Sequence, residues 1–367
     1  MEVLARPKKA LSSTHRDTVV PVSGPLPPEV LFHRYFPRLS SPQDRERYRG
    51  KLDLDTLPDP DMSKVLKELQ DDFNMSFAES REALASLGRP LPVHLDYVDS
   101  HVANAIAFES DGYYFIGLTL PLLEIIRLNS AALMLSDQVW AFLDLPYVSD
   151  RIPDRTGALF FIQTLFVSAH EFAHHLLGHA SKDFSPLRDE LTPDAHGGME
   201  QQAEEALADS FAVFPALAFL INSEQRANIL ERLSYAESSE IDADRVLLLA
   251  FLLCASSFLA RSPVPEAVRV YNGTHPLPIA RINGIIQTAT VWAEKYRPNL
   301  TSRLTDERLN AMLTALEHAH HLPAGTMQGH IAFLASPEGI AYFDLLHQHV
   351  SRSDPRKGAI FDPPATE

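Results

Sequence analysis

The sequence predicts a mainly helical protein with a small β element, an α+β fold. From Leu52 to about Leu346, apolar residues recur at helical spacing between short polar breaks. One segment reads differently, "NAIAFESDGYYFIGLTLPLLEII" from Asn104 to Ile126. It has a short apolar run, an SDG turn signal and then a stretch rich in β-forming residues. We therefore expect a β-hairpin here, followed by a helix that begins near Pro121.

Composition limits the classes of protein to be considered. The chain has 367 residues, 45% of them hydrophobic and 22% charged, which suits one large globular domain or two modest ones. The net charge of -16 argues against a nucleic-acid partner, because a phosphate backbone repels such a surface. The single cysteine, Cys254, excludes intrachain disulfides and thiolate metal clusters. We expect it to be a buried apolar thiol.

Three segments differ in composition. Residues 1–50 are rich in proline and arginine and show no sustained period, so we predict a flexible or loosely docked arm. Residues 51–349 carry the helical patterns and are expected to form one domain. Residues 350–367 are predicted to be a disordered tail.

No segment of the sequence is typical of secretion or of membrane insertion. The N-terminus lacks the apolar region of a secretory signal, which favours a cytoplasmic location. The most apolar run, Val246–Ala260, is shorter than the roughly 20 residues that a membrane span needs. We therefore predict a buried helix at this run and no stable membrane insertion.

The segment "VSAHEFAHHLLGH", from Val167 to His179, is the strongest chemical signal in the chain. His170 and His174 are four residues apart, so on a helix they project from one face and can bind one metal ion together. Glu171 lies beside that face. In such an HExxH pattern neutral imidazoles hold zinc (Zn²⁺), and the glutamate takes a proton from the water that the zinc activates.

A second helical pattern, "EQQAEEALADSFAVFPALAF", offers the third metal ligand. Glu205 shares a face with small residues and with Asp209, and a small-residue face allows close approach to another helix. We therefore predict Glu205 as the ligand, with Asp209 bonded to the free ring nitrogen of a ligand histidine. Glu204 is the alternative ligand; otherwise it is a solvated charge at the helix start.

These residues resemble a known family. "HEFAH" followed by "EALAD" resembles the gluzincin pattern of zinc metallopeptidases, HExxH and then ExxxD. The Asn104–Ile126 segment resembles the edge strand of the HtpX and CAAX-endopeptidase family, and "THPLPIARI", Thr274–Ile282, resembles that family's THP element. The resemblance spans about residues 104–282 and implies a zincin-like metallopeptidase domain. The membrane helices of that family are missing from this sequence.

A second resemblance, based on general layout, is to soluble proteases of the phage-exclusion Lit type and to the ImmA/IrrE regulators. It implies a cytoplasmic regulatory or phage-defence endopeptidase that cuts one or a few cellular proteins. The expected partner is accordingly a protein or peptide substrate.

The family resemblance also implies roles in catalysis. Glu171 would act as general base, and His275 and Arg281 would donate hydrogen bonds to the tetrahedral oxyanion. An equally open alternative is that His275 begins a helix and that Arg281 pairs with Asp209 or Glu205.

The strand "YYFIGLTL" is expected to bind substrate as an added β-strand. The residues assigned to this role are Asn104, Tyr114, Phe115 and Ile116.

Two further histidines, His175 and His179, are predicted to be partly exposed at the helix end, where His179 could cap the last turn.

For the whole protein, a zinc-stabilised sensing or binding module without catalysis is the alternative function, and Glu171 is the feature that favours an enzyme. Latent activity, with the arm or residues 180–199 over the cleft, is also left open.

Overall fold

The chain folds into a mainly helical structure with one small sheet, which confirms the predicted α+β class. The computed structural model describes residues 26–79, 90–179, 198–235, 240–260 and 275–353, with positions 81, 85, 88 and 271. The predicted tail begins at residue 350, but residues 350–353 are helical, so the prediction is wrong for these four residues. The rest of the predicted tail, the first 25 residues of the predicted arm and most of the loop 180–199 lie outside the described residues.

In the described part of the chain the sheet has four strands, in the order β1-β2-β4-β3. β2 and β4 are parallel, and the two outer strands run antiparallel to their neighbours. The strands are β1 Tyr48–Lys51, β2 Val93–Ser100, β3 Ala105–Ser110 and β4 Tyr113–Thr119.

The hairpin between β3 and β4 is confirmed. Ser110 pairs with Tyr113, so the turn has two central residues, Asp111 and Gly112. Both have positive φ, 49° and 84°, as the type I′ turn of a tight hairpin requires. A helix follows the hairpin from Leu120, close to the predicted start at Pro121.

The helices make up most of the described fold. Three single 3₁₀ turns among the described residues connect some of the helices, at Phe36–Arg38, Leu54–Thr56 and Ser149–Arg151. The described α-helices are α1 Pro28–Tyr35, α2 Pro42–Arg47, α3 Pro60–Glu79, α4 Leu120–Met134, α5 Asp137–Leu143, α6 Ile152–Leu177, α7 Met199–Asn222, α8 Gln225–Arg232, α9 Glu240–Leu259, α10 Pro278–Tyr296, α11 Pro298–Thr301, α12 Asp306–Ala319, α13 Thr326–Leu334 and α14 Pro337–Ser353.

One face of the sheet is covered by residues that the sequence assigned to a loose arm. Phe32, Tyr35 and Phe36, from α1 and the turn after it, pack on Phe108 and Phe115 of the sheet. The prediction of a flexible or loosely docked segment is therefore wrong for residues 28–50. Proline and arginine content suggested a linker, whereas the aromatic side chains between them form a core.

The other face of the sheet packs on the helical core. There α6 packs against α4, α7 and α9 and contacts β3 and β4. The predicted buried helix at Val246–Ala260 is confirmed as part of α9, and Cys254 on it is fully buried. Gly117 permits the tight packing within the sheet, since a Cβ there would lie 2.7 Å from Val98 and 2.8 Å from Ile106.

None of the described helices is, taken singly, both long and apolar enough to cross a membrane. The pair α7 and α8 has the necessary length and composition only when joined, and it is bent by 84°.

Candidate metal centre

The helix α6 carries the HExxH residues into the protein interior. Its 26 residues include the long apolar run that precedes His170, and it ends at Gly178 in the left-handed conformation, φ 76°. Glycine adopts this conformation without a Cβ penalty, which is why the helix can end here. His170, Glu171 and His174 are 2%, 3% and 9% exposed. The motif therefore lies within the core and not on the surface.

The helix α7 brings a carboxylate to these histidines. Ala208, Ala212 and Ala216 are fully buried on α7, and α6 and α7 pack along much of their length. Glu205 and Asp209 are 2% and 1% exposed. The structure thus brings Glu205 to the histidines, as predicted, whereas Glu204 is half-buried beside it.

Three ligand side chains converge. His170 Nε2 lies 3.1 Å from His174 Nε2 and 3.2 Å from Glu205 Oε2, and His174 Nε2 lies 3.6 Å from Glu205 Oε1. Ligand atoms that bind one zinc ion at the usual distance and in tetrahedral geometry lie about 3.3–3.4 Å from one another. The side chains present therefore fit a single metal ion. Within the described residues, no other His, Cys, Asp or Glu side chains form a comparable group of three or more.

Asp209 supports His170 from behind. Its Oδ1 accepts a hydrogen bond from His170 Nδ1–H at 3.0 Å, which leaves Nε2 facing Glu205. This is the contact predicted for Asp209, and a carboxylate behind a ligand histidine fixes the orientation and the tautomer of the ring.

Arg281 holds Asp209 in turn, with Nε 2.6 Å from Oδ2 and Nη2 2.9 Å from Oδ1. Of the two roles considered for Arg281, the structure shows the ion pair. Its guanidinium is engaged with Asp209, so the assignment of Arg281 as an oxyanion donor is corrected. The physical reason is that Asp209 is buried and needs a counter-charge.

The charges of the centre are mutually stabilised in the metal-free chain. Burial lowers the pKa of His170, but Asp209 and Glu205 outweigh it and hold this pKa well above 6.5. Burial raises the pKa of Glu205, but His174, His170 and His275 outweigh it and hold this pKa well below 4.5. Burial also raises the pKa of Asp209, yet Arg281 and His170 hold it at about 2.

His275 lies at the rim of the centre. Its Nε2 is 3.6 Å from Glu205 Oε2, and its side chain is 14% exposed. The backbone that follows His275 is held by the hydroxyl of Tyr342. This hydroxyl accepts a hydrogen bond from Leu277 N–H at 3.2 Å and donates one to Gln202 Oε1 at 2.7 Å, and we call this pair of bonds the Tyr342 clamp. The clamp joins α14, α7 and the segment that leads from His275 into α10.

The predicted substrate strand does not have a free backbone edge. Tyr114, Phe115 and Ile116 belong to β4, which pairs with β2 on one side and with β3 on the other. They cannot accept an added strand. Asn104 is also engaged within the protein, since its amide donates to the Tyr48 hydroxyl at 3.1 Å and its backbone bonds to Thr119. The stretch is rich in β-formers because it is the centre of the sheet.

Partial exposure at the helix end was predicted for both His175 and His179; the prediction is wrong for His175 and confirmed for His179. His175 is 1% exposed, and its Nε2 donates to the Phe115 carbonyl at 2.9 Å while its ring stacks on Tyr114. His179 is half-buried, and its Nδ1 lies 3.3 Å from Nδ1 of His174. The position of His179 could have been predicted, because a glycine at the helix end returns the next residue to the last turn. No comparable local signal could have predicted the contacts of Tyr342, because its partners lie far away along the chain.

Comparison of the chain with protein-family models, with curated proteins and with solved structures found no match.

Proposed function

We propose that this protein is a zinc-dependent endopeptidase that hydrolyses peptide bonds of protein substrates. The observation that carries the proposal is the buried convergence of His170, His174 and Glu205, with Glu171 next to His170 on the same helix. Burying such a set costs free energy even when its charges are paired with one another, which favours a functional role for these residues.

Two imidazoles and one carboxylate form a donor set typical of catalytic zinc sites, in which three protein ligands leave a further position for water or substrate. When bound, zinc would lower the pKa of a coordinated water and polarise the scissile carbonyl.

Glu171 is the proposed general base. It is not one of the three converging ligands, and in an HExxH pattern the glutamate next to the first histidine takes the proton of the attacking water. It would accept a proton from the attacking water as the new C–O bond forms. The same proton would then pass to the leaving nitrogen as the C–N bond breaks, so that the acid and the amine are both released.

His275 is the proposed donor to the oxyanion. It lies beside Glu205 at the rim of the centre and is partly exposed, so its ring can approach both the ligand group and an incoming peptide. The Tyr342 clamp on Leu277 holds the neighbouring backbone in place.

The proposed substrate edge is β3 and not β4. The Thr119 N–H donates to Asn104 O at 3.1 Å, and along β3 the residues whose backbone groups face β4 alternate with residues whose backbone groups face away. Ala107 and Glu109 are partly exposed residues whose backbone groups face away from β4. Within the described part of the chain β3 is the last strand on that side of the sheet. A peptide could therefore add to it through main-chain hydrogen bonds.

The second candidate is a zinc-stabilised sensing or binding module of the ImmA/IrrE type. The observation that favours it is again His275, whose Nε2 is 3.6 Å from Glu205 Oε2. As a fourth ligand it would close the metal site, and closed sites are structural.

The experiment compares Glu171→Gln with His170→Ala in cells, with new protein N-termini as the readout. Glu171→Gln keeps the shape and removes the base, so it should retain zinc while proteolysis falls on the order of a hundredfold or more. His170→Ala should lose both zinc and proteolysis. If Glu171→Gln leaves every cellular effect unchanged while His170→Ala abolishes it, the protein works by binding.

A further inference from the structure

The end of α6 turns back onto one of the metal-binding residues. Gly178 N–H donates to His175 O at 3.2 Å, and His179 N–H donates to His174 O at 2.9 Å. These two bonds, with Gly178 in the left-handed region, form the Schellman motif. The motif therefore places His179 over His174, one turn back along the helix.

The side chains of these two residues meet through ring nitrogens. His174 Nδ1 lies 3.3 Å from His179 Nδ1, and the ring centroids are 5.4 Å apart. At this distance one nitrogen carries the proton and the other offers a lone pair. The contact between these two positions of a Schellman motif is frequently hydrophobic. Here it is a polar contact, which the turn itself does not require.

The other nitrogen of His174 faces the ligand group. His174 Nε2 lies 3.1 Å from His170 Nε2 and 3.6 Å from Glu205 Oε1. A metal bound there needs the lone pair of Nε2, so the proton of a neutral His174 must be on Nδ1. The acceptor within reach of that proton is His179 Nδ1.

We infer that His179 is a positioning residue for the second metal ligand. It accepts a hydrogen bond from His174 Nδ1–H and so fixes the tautomer and ring orientation that present Nε2 to the ion. This inference rests on the metal site of the proposed function. The two ligand histidines are then supported differently: His170 by a carboxylate that Arg281 holds, and His174 by a second imidazole.

The test measures zinc affinity of the purified full chain by competition with a chromophoric chelator. His179→Leu keeps an apolar contact of the kind that Schellman motifs tolerate but removes the acceptor, and we expect zinc to bind about 10–100-fold more weakly. His179→Asn places an amide oxygen near the position of Nδ1, so its affinity should stay within about threefold of the parent. His318→Ala, at an exposed ring that contacts Ser136, is the control and should match the parent.

A spectroscopic readout accompanies the affinities. In the ¹⁵N-labelled zinc form, His174 should carry its proton on Nδ1 in the parent and in His179→Asn, and His179→Leu should lose the hydrogen-bond signature of that proton. Metal-free unfolding by urea shows whether each variant is folded.

The outcomes separate the inference from the proposed function. A parent chain that binds no zinc overturns both. A parent that binds zinc with an unchanged affinity in His179→Leu overturns the inference alone. Equal weakening in His179→Leu and His179→Asn also overturns it, because the residue would then act through packing. If one variant is too unstable to purify, the affinity of the other variant and the position of the proton on His174 in the parent decide the question.

Discussion

Arg281 and Asp209 form a buried ion pair with two hydrogen bonds, at 2.6 and 2.9 Å, between α10 and α7. Since Asp209 also accepts a hydrogen bond from His170, the pair links three helices behind the candidate metal centre. The contact explains why a charged residue stands at position 281 in an otherwise apolar stretch of α10.

The ion pair gives a prediction about stability. Arg281→Met leaves the buried carboxylate of Asp209 without its counter-charge, which should lower the free energy of unfolding by about 3–5 kcal/mol. The double variant Arg281→Met with Asp209→Asn has no uncompensated charge and should recover part of this loss. Urea unfolding of the metal-free chain measures both. If the loss in the double variant equals the sum of the losses in Arg281→Met and in Asp209→Asn alone, the two residues are not energetically coupled.

The two adjacent glutamates give a prediction about metal content. The purified protein should carry about one zinc per chain, and Glu205→Ala should lose it because one of three ligands is removed. Glu204→Ala is the matched control and should keep the metal, since Glu204 is outside the ligand group. Metal analysis after dialysis gives the answer, and a zinc content that depends on Glu204 instead would refute the ligand assignment.

The Tyr342 clamp gives a second stability prediction. Tyr342→Phe removes one hydroxyl that serves both Leu277 N–H and Gln202 Oε1, and the groups left behind should cost about 1–3 kcal/mol. Tyr147→Phe is the control, because Tyr147 is 57% exposed and should change stability by less than about 0.5 kcal/mol. Equal midpoints in urea for the two variants would show that the clamp contributes nothing.

The pH dependence of zinc binding follows from His170. In the metal-free chain Asp209 and Glu205 hold its pKa well above the usual histidine value, so the ring keeps its second proton to higher pH than a free histidine does, whereas a ligand histidine must be neutral. Zinc must therefore displace a proton, and its affinity should fall as pH falls, by up to about tenfold per pH unit. Titration calorimetry in buffers of different ionisation enthalpy counts the released protons. Equal affinities at pH 8 and pH 6 would be inconsistent with this proton release.

The sequence allowed good predictions wherever one local pattern decides the structure. The hairpin follows from its turn and its β-formers, and the approach of Glu205 to His170 follows from the small residues on its face of α7. Both outcomes depend on spacing within one or two helices or strands, and spacing can be read directly from the chain.

The sequence did not predict features that depend on distant partners. The strand β2 was missed although its first residues alternate between apolar and polar, as in a half-buried strand. The sequence did not show that His94 and Asp96 are buried as well, with Lys51 Nζ 2.7 Å from Asp96. The strand predicted to bind substrate proved to be an interior strand for the same reason. A sequence shows that Phe115 favours a strand but not how many neighbours that strand has.

The aromatic layer formed by residues 28–51 also determines how far the chain can be shortened. Cutting the chain at residue 52 would remove β1 and so leave one side of β2 unpaired. The same cut would expose the rings of Phe108 and Phe115, which α1 now covers. An open strand edge beside bare aromatic surface is a template for self-association, so such a truncated protein should precipitate even with its metal ligands intact.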